Sequence, residues 1–199
     1  VFTMEAFADP ADGWLKQRDF PPGAGINSMT MTRNLLGQVT SIAQIIGSTT
    51  TTRSMTYDET QGYFLKDEVH PELGTIHYVR DNNGNAMSRQ VGTTTATTMS
   101  YDYQNRLTTT TSPANAGQAT PVVSNTWFKT GSLKSTTAGN VSRAYTYDDN
   151  NNLLTEQVTI DGTSRSLAYD YDSLDGLTRL TYPSGRVVSF NPDLLGRPQ

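Results

Sequence analysis

The two histidines are the first candidates for chemistry, because imidazole titrates near neutral pH and binds metals. His70 and His77 flank the segment Pro71–Gly74, whose composition is typical of a turn. A hairpin here would bring the two rings together as a metal site or a general base. A third ligand would have to come from the carboxylates of Asp67, Glu68 or Glu72. Solvated histidines beside a turn are the simpler interpretation, and no Gly-x-Ser-x-Gly motif is present, so we predict no catalytic residue and no enzyme.

Two oxygen-rich segments, Asp81–Asn85 and Asp148–Asn152, are candidates for calcium, which prefers carboxylate and amide oxygens. Neither has the distal bidentate Glu of a helix-loop-helix calcium site. Asn-Gly is instead the usual pair of a sharp hairpin turn. The carboxylates of Asp170 and Asp172 lie two residues apart and therefore share one strand face. We predict turns in these segments, no metal and no cofactor.

Aromatic side chains recur in pairs, at Tyr145 and Tyr147 and again at Tyr169 and Tyr171, and each pair shares one face of a strand. Exposed rows of this kind could stack on sugars, which makes an adhesin-like extracellular module that binds glycans one candidate function. The other interpretation is that the rings form the packed face of a sheet. We favour the packed face, and the glycan alternative stays open.

Composition excludes several classes of protein. The chain has 199 residues, a net charge of −4, a sequence pI near 5.1 and no cysteine. An acidic chain without a basic cluster is not expected to bind nucleic acid or an anionic membrane. Without cysteine there is no disulfide, thiolate metal site or cysteine nucleophile. No apolar run is long enough for a membrane span, no signal peptide is recognisable, and we expect the chain to be a piece of a longer protein.

One short phrase, Tyr-Asp followed by a turn residue, recurs along most of the chain. Its complete copies are Tyr57-Asp58, Tyr101-Asp102, Tyr147-Asp148 and Tyr171-Asp172. With substitutions allowed at the first residue, which we call the anchor, the anchors are Arg33, Tyr57, Arg80, Tyr101, Trp127, Tyr147, Tyr171 and Pro192. The intervals between them are 20–26 residues. We predict that each Asp accepts backbone hydrogen bonds in a turn.

Two further positions of the repeat are restricted. Four residues after the anchor is a turn slot, which holds Gly37, Gly84, Asn105, Gly131, Asn151, Asp175 and Gly196, and Gly62 in the copy at Tyr57, which is one residue longer. Only Gly, Asn and Asp occur there, and these residues tolerate a positive φ at least cost. Two residues later is an apolar slot, which holds Val39, Phe64, Ala86, Leu107, Leu133, Leu153, Leu177 and Pro198. We therefore predict one left-handed turn and one new strand per repeat.

The secondary structure follows from the same periodicity. Leu153–Ile160 and Thr163–Tyr171 alternate around Asp161-Gly162, which is a strong hairpin signal. Only Ser41–Gly47 hints at a helix. We predict an all-β chain of repeated antiparallel hairpins in a curved, spiralling sheet, with residues 1–28 as an irregular segment or partial repeat and residues 29–199 as about eight repeats.

The phrase Tyr-Asp-x-x-Gly-x-Leu at this spacing resembles the RHS-repeat or YD-repeat family, in its bacterial toxin-associated form rather than that of the animal teneurins. The resemblance covers roughly residues 29–199. It implies a β-sheet ribbon that spirals into a hollow shell and encloses a C-terminal toxin or effector in a secreted bacterial system. It also implies that the repeats are structural, without catalytic residues, and that the partners are the rest of the shell and the enclosed toxin domain.

The sequence departs from the family pattern at several anchors. Trp127 can fill an aromatic position, whereas Arg33 and Arg80 are not expected to fill it. The family's shell closes with a self-cleaving Pro-x-x-x-x-Asp-Pro-x-Gly-Leu signature, and Pro192-Asp193 has Asp and Pro in the opposite order. No cleavage residue is therefore carried over to this chain.

Overall fold

The computed structural model describes residues 5–8, 13–20 and 25–190. Within these ranges the chain is all-β and antiparallel, without a helix, which confirms the predicted fold class. The strands are β1 (Glu5–Ala8), β2 (Leu15–Asp19), β3 (Ser28–Arg33), β4 (Val39–Ile46), β5 (Thr49–Asp58), β6 (Phe64–His70), β7 (Gly74–Arg80), β8 (Ala86–Val91), β9 (Thr97–Tyr101), β10 (Leu107–Thr111), β11 (Val123–Trp127), β12 (Leu133–Ala138), β13 (Val141–Tyr147), β14 (Leu153–Ile160), β15 (Thr163–Tyr171), β16 (Leu177–Thr181) and β17 (Val187–Ser189).

The helix suggested by Ser41–Gly47 is wrong, because most of this segment belongs to β4. β4 pairs along its length with β3 on one side and β5 on the other. Pairing on both edges provides hydrogen-bond partners for the backbone N–H and C=O groups of β4. The sequence suggested a helix because the periodicity of so short an apolar run does not distinguish a buried strand from a helix.

The chain divides into two compact units, Val1–Thr98 and Met99–Gln199. In the first unit each strand from β1 to β8 pairs with the next one along the chain. In the second unit the same holds from β10 to β17. Successive hairpins are the connection expected for short antiparallel strands joined by turns.

Connections that follow an anchor alternate along each unit with connections that do not. Gly47-Ser48, Gly139-Asn140 and Asp161-Gly162 are two-residue hairpin turns. The other kind directly follows an anchor, and we call its members the anchored turns: 34–38, 58–63, 81–85, 102–106, 128–132, 148–152 and 172–176. Because consecutive strands run in opposite directions, the anchored turns of a unit all lie at the same end of its strands.

A β-bulge accompanies the anchored turns. Thr146 pairs with Thr155 and Tyr147 pairs with Leu153, so that Leu154 has no residue opposite it. The same shift occurs at the anchors Arg33, Tyr57, Arg80, Trp127 and Tyr171. A register shift also interrupts the pairing of β1 with β2, between Phe7 and Ala8, within residues 1–28. Bulges increase the local right-handed twist, so the twist is concentrated at the anchored ends of the strands.

The two faces of each sheet differ in chemistry. Tyr145 and Tyr147 lie on one face of β13, while Thr146 lies on the other, with its Oγ1 2.6 Å from that of Thr155. Most side chains are half-buried, and Ile76, at 3% exposed, is the one buried apolar residue in the described part of the chain. The sheet is thus stabilised by contacts along its aromatic face and by backbone pairing rather than by an enclosed core.

Candidate functional site

The anchored turns are the most regular side-chain arrangement in the molecule. In the turn 148–152 the Asp148 N–H donates to the Asn152 carbonyl over 3.0 Å, and the Asn151 N–H donates back to the Asp148 carbonyl over 3.0 Å. The same pair of backbone bonds closes the turns at Asn34, Asp81, Asp102, Phe128 and Asp172. It also closes the turn 182–186 between β16 and β17, which follows no anchor.

The turn slot is left-handed wherever it is described. Its φ values are 78° at Gly37, 65° at Gly62, 87° at Gly84, 61° at Asn105, 101° at Gly131, 69° at Asn151 and 62° at Asp175. In the longer turn 58–63 the next residue, Tyr63, also has a positive φ, 56°. Gly196, Pro192 and Pro198 lie outside the described residues. L-residues other than Asn and Asp rarely adopt this conformation, which explains the composition of the slot.

The acidic residue after the anchor organises the turn through one oxygen. Asp148 Oδ1 accepts the N–H groups of Asn150 and Asn152 over 3.0 and 2.8 Å. The equivalent oxygen accepts two turn N–H groups at Asp81, Asp102 and Asp172, and an amide oxygen does the same at Asn34. These are the backbone hydrogen bonds predicted for the Asp. Because Asn34 accepts in the same way, the acceptor oxygen can come from a neutral amide, and the turn at Phe128 closes through its backbone bonds without one.

Hydrogen bonding also stabilises the ionised form of these carboxyl groups. The Thr60 hydroxyl lowers the pKa of Asp58, the Asn85 amide lowers the pKa of Asp81, and the Arg106 guanidinium lowers the pKa of Asp102. Desolvation raises the pKa of Asp148, but the hydrogen bonds from Asn152 and Asn150 outweigh it and leave the pKa below the usual value. Carboxylates that accept several N–H groups ionise more readily, so where Asp occupies this position the turn favours its ionised form.

The anchor side chains bridge neighbouring hairpins. The Tyr171 hydroxyl donates to the Leu153 carbonyl over 3.0 Å, beyond Thr155, where the pairing of β14 with β15 ends. Tyr57 donates in the same way to Val39 over 2.8 Å. The Trp127 indole N–H donates to the Leu107 carbonyl over 3.0 Å. In each case the acceptor is the apolar-slot residue of the preceding repeat, so the anchor closes the gap where two strands diverge.

Arg80 fills the anchor position, which corrects the expectation that arginine would not. Its Nε donates to the Leu65 carbonyl over 3.0 Å and its Nη1 to the Gly84 carbonyl over 2.9 Å, while its guanidinium lies 5.3 Å from the Tyr78 ring centroid. Arg33 Nη1 likewise donates to the Gly37 carbonyl over 2.9 Å. Tyrosine, tryptophan and arginine share a long planar side chain with a donor near its end. The Arg80 guanidinium thus supplies a bridging donor, as the side chains of Tyr57, Trp127 and Tyr171 do.

Side chains also join neighbouring turns of one unit laterally, which sequence inspection missed. Gln38 Nε2 donates to the Tyr63 carbonyl over 2.8 Å in the first unit. In the second unit Arg106 donates to the Phe128 carbonyl over 2.7 Å, Ser132 to the Asn151 side chain, and Asn150 and Asn152 to Asp175 Oδ1 over 2.9 and 2.7 Å. The partners are 19–25 residues apart, so only the repeat length, compared copy by copy, could have suggested these contacts.

The histidines are placed apart from each other. His77 Nδ1 lies 2.6 Å from Asp67 Oδ1 across the β6–β7 pair, and His70 Nε2 lies 3.0 Å from Glu68 Oε2. Asp67 and His77 face each other in register, whereas His70 is three residues from Asp67 and points to the opposite face. Within the described ranges no group of three His, Asp or Glu residues is arranged to hold a metal ion. In the former calcium candidates the Asp oxygens accept turn N–H groups.

Comparison with known proteins gives a structural likeness alone. No family model matches the chain, and no curated protein matches it in sequence. Solved structures of TcdB2-TccC3 do match: the one without the hypervariable C-terminal region aligns with a TM-score of 0.71 and 13% identity over 91% of this chain. The TcdB2-TccC3-Cdc42 structure aligns with a TM-score of 0.60 and 12% identity over 98%. The Tc holotoxin pore of Photorhabdus luminescens aligns with a TM-score of 0.51 and 12% identity over 99%.

These matches concern the fold, and the matched chains are much longer than this one. The chain spans 10%, 12% and 15% of the three matched chains. At this level of identity the shared property is the arrangement of antiparallel hairpins. In the described part of the chain no helix has both the length and the apolar character needed to cross a bilayer.

Proposed function

We propose that this chain is a wall segment of an RHS/YD-repeat shell, which encloses a C-terminal toxin or effector in a secreted bacterial system. The observation that supports the proposal most directly is the likeness of nearly the whole chain to TcdB2-TccC3. The repeated anchored turn, with its bulge and bridging anchor, is the unit that such a wall would multiply. The partners are then the remainder of the shell and the enclosed domain, with no nucleic acid and no membrane span.

The segment acts without catalysis in this proposal. The polar groups of the repeat are engaged within the fold: Tyr57, Trp127 and Tyr171 donate to backbone carbonyls, and the turn carboxylates accept backbone N–H groups. In a structural wall the polar groups can form their hydrogen bonds within the fold, whereas an active site needs polar groups directed at a substrate. The protein would be exported, or displayed on the cell surface, as part of a larger chain.

The test uses the parent protein purified from its natural source. The expected result is a chain several times longer than 199 residues with a C-terminal region that resists protease in the intact protein. Opening the wall through Tyr57→Ala and Tyr171→Ala together should make that region susceptible, while Tyr103→Ala, at an 87% exposed turn position, should leave it protected. Equal protease susceptibility of the region in the native protein and the double variant would contradict the proposal.

A hydrolytic role for the histidines has its own test. His77 is oriented by Asp67 and is the better base candidate of the two. We expect His70→Ala and His77→Ala to leave the properties of the parent toxin, including its release of the C-terminal region, unchanged. A loss of hydrolysis in His77→Ala, with the fold intact by circular dichroism, would make the chain an enzyme instead.

A further inference from the structure

Strand β15 is longer than the part of it that β16 covers. It pairs with β14 from Thr163 to Ala168, whereas its pairing with β16 begins only at Ala168 and Thr181. In the described part of the chain Thr163–Leu167 therefore has a strand on one edge alone, and we call its other edge the free edge. The residues from Thr163 to Ser166 are exposed. At 3.4 Å per residue the free edge is about 17 Å long.

The turn that follows β16 makes this strand short. Pro183 has no N–H to donate to a sheet, and Gly185, with a φ of 83°, reverses the chain. The Tyr182 N–H closes the turn by donating to the Arg186 carbonyl over 2.8 Å. An open groove of about 760 Å³, lined by the free edge and by residues 181–185, lies where a longer β16 would continue.

The free edge directs backbone groups into this groove. Thr163 directly follows the two-residue turn Asp161-Gly162 and belongs to the hydrogen-bonded pair that closes the hairpin. Along an antiparallel pair, residues alternate between bonding to the partner strand and pointing away from it. The N–H and C=O groups of Ser164 and Ser166 therefore point away from β14 and into the groove. Such an edge is a template for another strand.

The side chains of the free edge form two different faces. On one face the Ser164 hydroxyl lies 2.7 Å from that of Thr159, and Ser166 is the next residue of the same face. On the other face Arg165 lies beside Ile160, which is 48–50% exposed in common with the other large apolar residues at hairpin ends, at 50%. An incoming strand would meet hydroxyl groups on one side and a cation beside apolar surface on the other.

The position of Arg165 favours an acidic partner. Its side chain is exposed, and the facing turn Tyr182–Arg186 contains no acidic residue. Its backbone groups bond to β14, so a residue of an incoming strand opposite it would form a non-hydrogen-bonded pair, in which side chains are closest. Opposite charges in such a pair stabilise a sheet, and like charges destabilise it.

The first unit has a comparable edge, where the arginine already has an acidic partner. β5 pairs with β4 from Thr49, but its pairing with β6 begins only at Ser54. Arg53, on the uncovered part, binds Glu72 of the following turn, with 2.5 Å between Nη2 and Oε1. Because the turn after β16 contains no acidic residue, the corresponding carboxylate for Arg165 would come from the incoming strand.

A second copy of the chain fits this edge poorly. If two free edges paired through the backbone groups of Ser164 and Ser166, each Arg165 would lie directly opposite its counterpart. Like charges in that position destabilise a sheet. The charge of the edge thus opposes self-association and favours a different, acidic strand.

We propose that the free edge binds an extended acidic peptide segment, which joins the sheet as an antiparallel strand beside β15. Its backbone pairs with Ser164 and Ser166, and a Glu or Asp side chain lies opposite Arg165. The turn at Tyr182 limits the added strand to about five residues. This binding does not depend on the role proposed for the wall.

The experiment is an NMR titration of the isotope-labelled chain with acetyl-Val-Thr-Glu-Thr-Val-amide, which can place Glu opposite Arg165 and Thr opposite each serine. The matched peptide has Lys in place of Glu. We expect saturable shifts of the Ser164 and Ser166 amide signals, with binding of the Glu peptide about tenfold tighter than that of the Lys peptide at low salt. N-methylation of both Thr residues of the peptide removes the donors that face the free edge and should abolish binding.

Variants assign the binding to the free edge. Arg165→Glu should reverse the preference, so that the Lys peptide binds more tightly than the Glu peptide. Lys129→Glu makes the same charge change at an exposed position of an anchored turn, at the other end of the strands, and should keep the original preference. Circular dichroism verifies that both variants are folded.

Three results would overturn the proposal: no saturable binding of the Glu peptide, equal affinities for the two peptides, or an unchanged preference in Arg165→Glu. Shifts of the Ser164 and Ser166 signals that grow with protein concentration alone would identify a second copy as the occupant and would overturn it as well.

Discussion

Most anchored turns combine an acceptor oxygen directly after the anchor with a left-handed residue in the turn slot, whereas the turn at Phe128 closes through its backbone bonds without that oxygen. The oxygen of Asp148 gathers two N–H groups that have no partner in a strand. The left-handed residue, Asn151 in this copy, reverses the chain so that those N–H groups converge on the oxygen. Asp is replaceable by Asn because both carry the oxygen, whereas the left-handed position accepts only residues with a low cost at positive φ.

Asn151→Val should destabilise the protein more than Asn150→Val. A β-branched side chain at φ 69° costs about 1–2 kcal/mol of unfolding free energy. Asn150 has no positive φ, and its replacement removes one exposed hydrogen bond, from its side chain to Asp175. Urea denaturation followed by circular dichroism measures the two variants side by side. Equal losses of stability would show that the turn does not require the left-handed residue.

The stability of the turns should decrease in acid. The pKa of Asp148 in the folded protein is below its usual value of 3.8. The ionised carboxylate therefore stabilises the fold above about pH 4, and this contribution is lost as the pH falls through the lowered pKa. Asp148→Asn keeps the acceptor oxygen, as at Asn34, and should flatten the stability profile between about pH 5 and pH 2.

The control for this profile is Asp149→Asn, one residue further along the same turn. This variant removes one exposed carboxylate from the turn without touching the acceptor oxygen of Asp148. Urea midpoints at a series of pH values give both profiles. If Asp149→Asn flattens the profile as much as Asp148→Asn, general charge repulsion is the cause and the turn hydrogen bonds are not.

Neighbouring hairpins are held together at their anchored ends by side chains rather than by backbone pairing. The pairing of β14 with β15 stops at Thr155 and Ala168, and the Tyr171 hydroxyl reaches the next available carbonyl, that of Leu153. The bulge between Tyr147 and Leu153 twists the strands apart at this end. Tyrosine, tryptophan and arginine each donate across such a gap in this chain, at Tyr57 and Tyr171, at Trp127 and at Arg80.

Tyr171→Phe should lower the free energy of unfolding by about 0.5–1.5 kcal/mol, the usual contribution of one hydrogen bond. The ring and its packing remain, so the loss isolates the hydroxyl. Tyr103→Phe is the matched control, since Tyr103 is 87% exposed at a turn, and it should change stability by less than about 0.5 kcal/mol. Urea denaturation measures both, and a Tyr171→Phe variant as stable as the control would mean that the bridge contributes nothing.

Gly84→Ala should destabilise unit one more than Gly74→Ala does. Both glycines have a positive φ, 87° at Gly84 and 77° at Gly74. A Cβ at Gly84 would lie 2.7 Å from the Phe64 ring, whereas a Cβ at Gly74 would have no atom within 4 Å. The two variants share the backbone cost of about 1–2 kcal/mol, and the excess at Gly84 measures the packing of one turn against the neighbouring repeat. Adding Phe64→Leu should shrink that excess in thermal unfolding. An excess that survives Phe64→Leu would contradict the packing explanation.

Each unit as a whole has little interior. In the described part of the chain Ile76 is the one buried apolar side chain, and large apolar residues such as Leu35 and Leu174 are exposed at 105% and 74%. A structure of this kind is stabilised by contacts between neighbouring hairpins, as in repeat proteins. We therefore expect the loss of a single contact between hairpins to lower the free energy of unfolding of its unit measurably.

Ile76→Ala should cost about 2–4 kcal/mol, because it leaves a cavity at the one buried position in the described part of the chain. Ile46→Ala is the matched control in the same unit, with the same side chain 48% exposed, and should cost less than about 1 kcal/mol. Denaturant unfolding of the two variants under identical conditions compares them. Similar losses would mean that burial at Ile76 is not what stabilises this unit.

Features within one repeat could be predicted from the sequence, whereas contacts between repeats could not. The sequence by itself determined the all-β class, the hairpin spacing and the left-handed turn slots that the structure describes, because these depend on residue types at fixed short offsets. Only the tertiary structure decided that Arg80 serves as an anchor, that Ser41–Gly47 lies mostly in a strand, and that His70 and His77 face apart. These outcomes depend on which carbonyl, strand edge or sheet face lies opposite each residue in the folded chain. That partner belongs to a neighbouring strand or repeat, and short sequence offsets do not identify it.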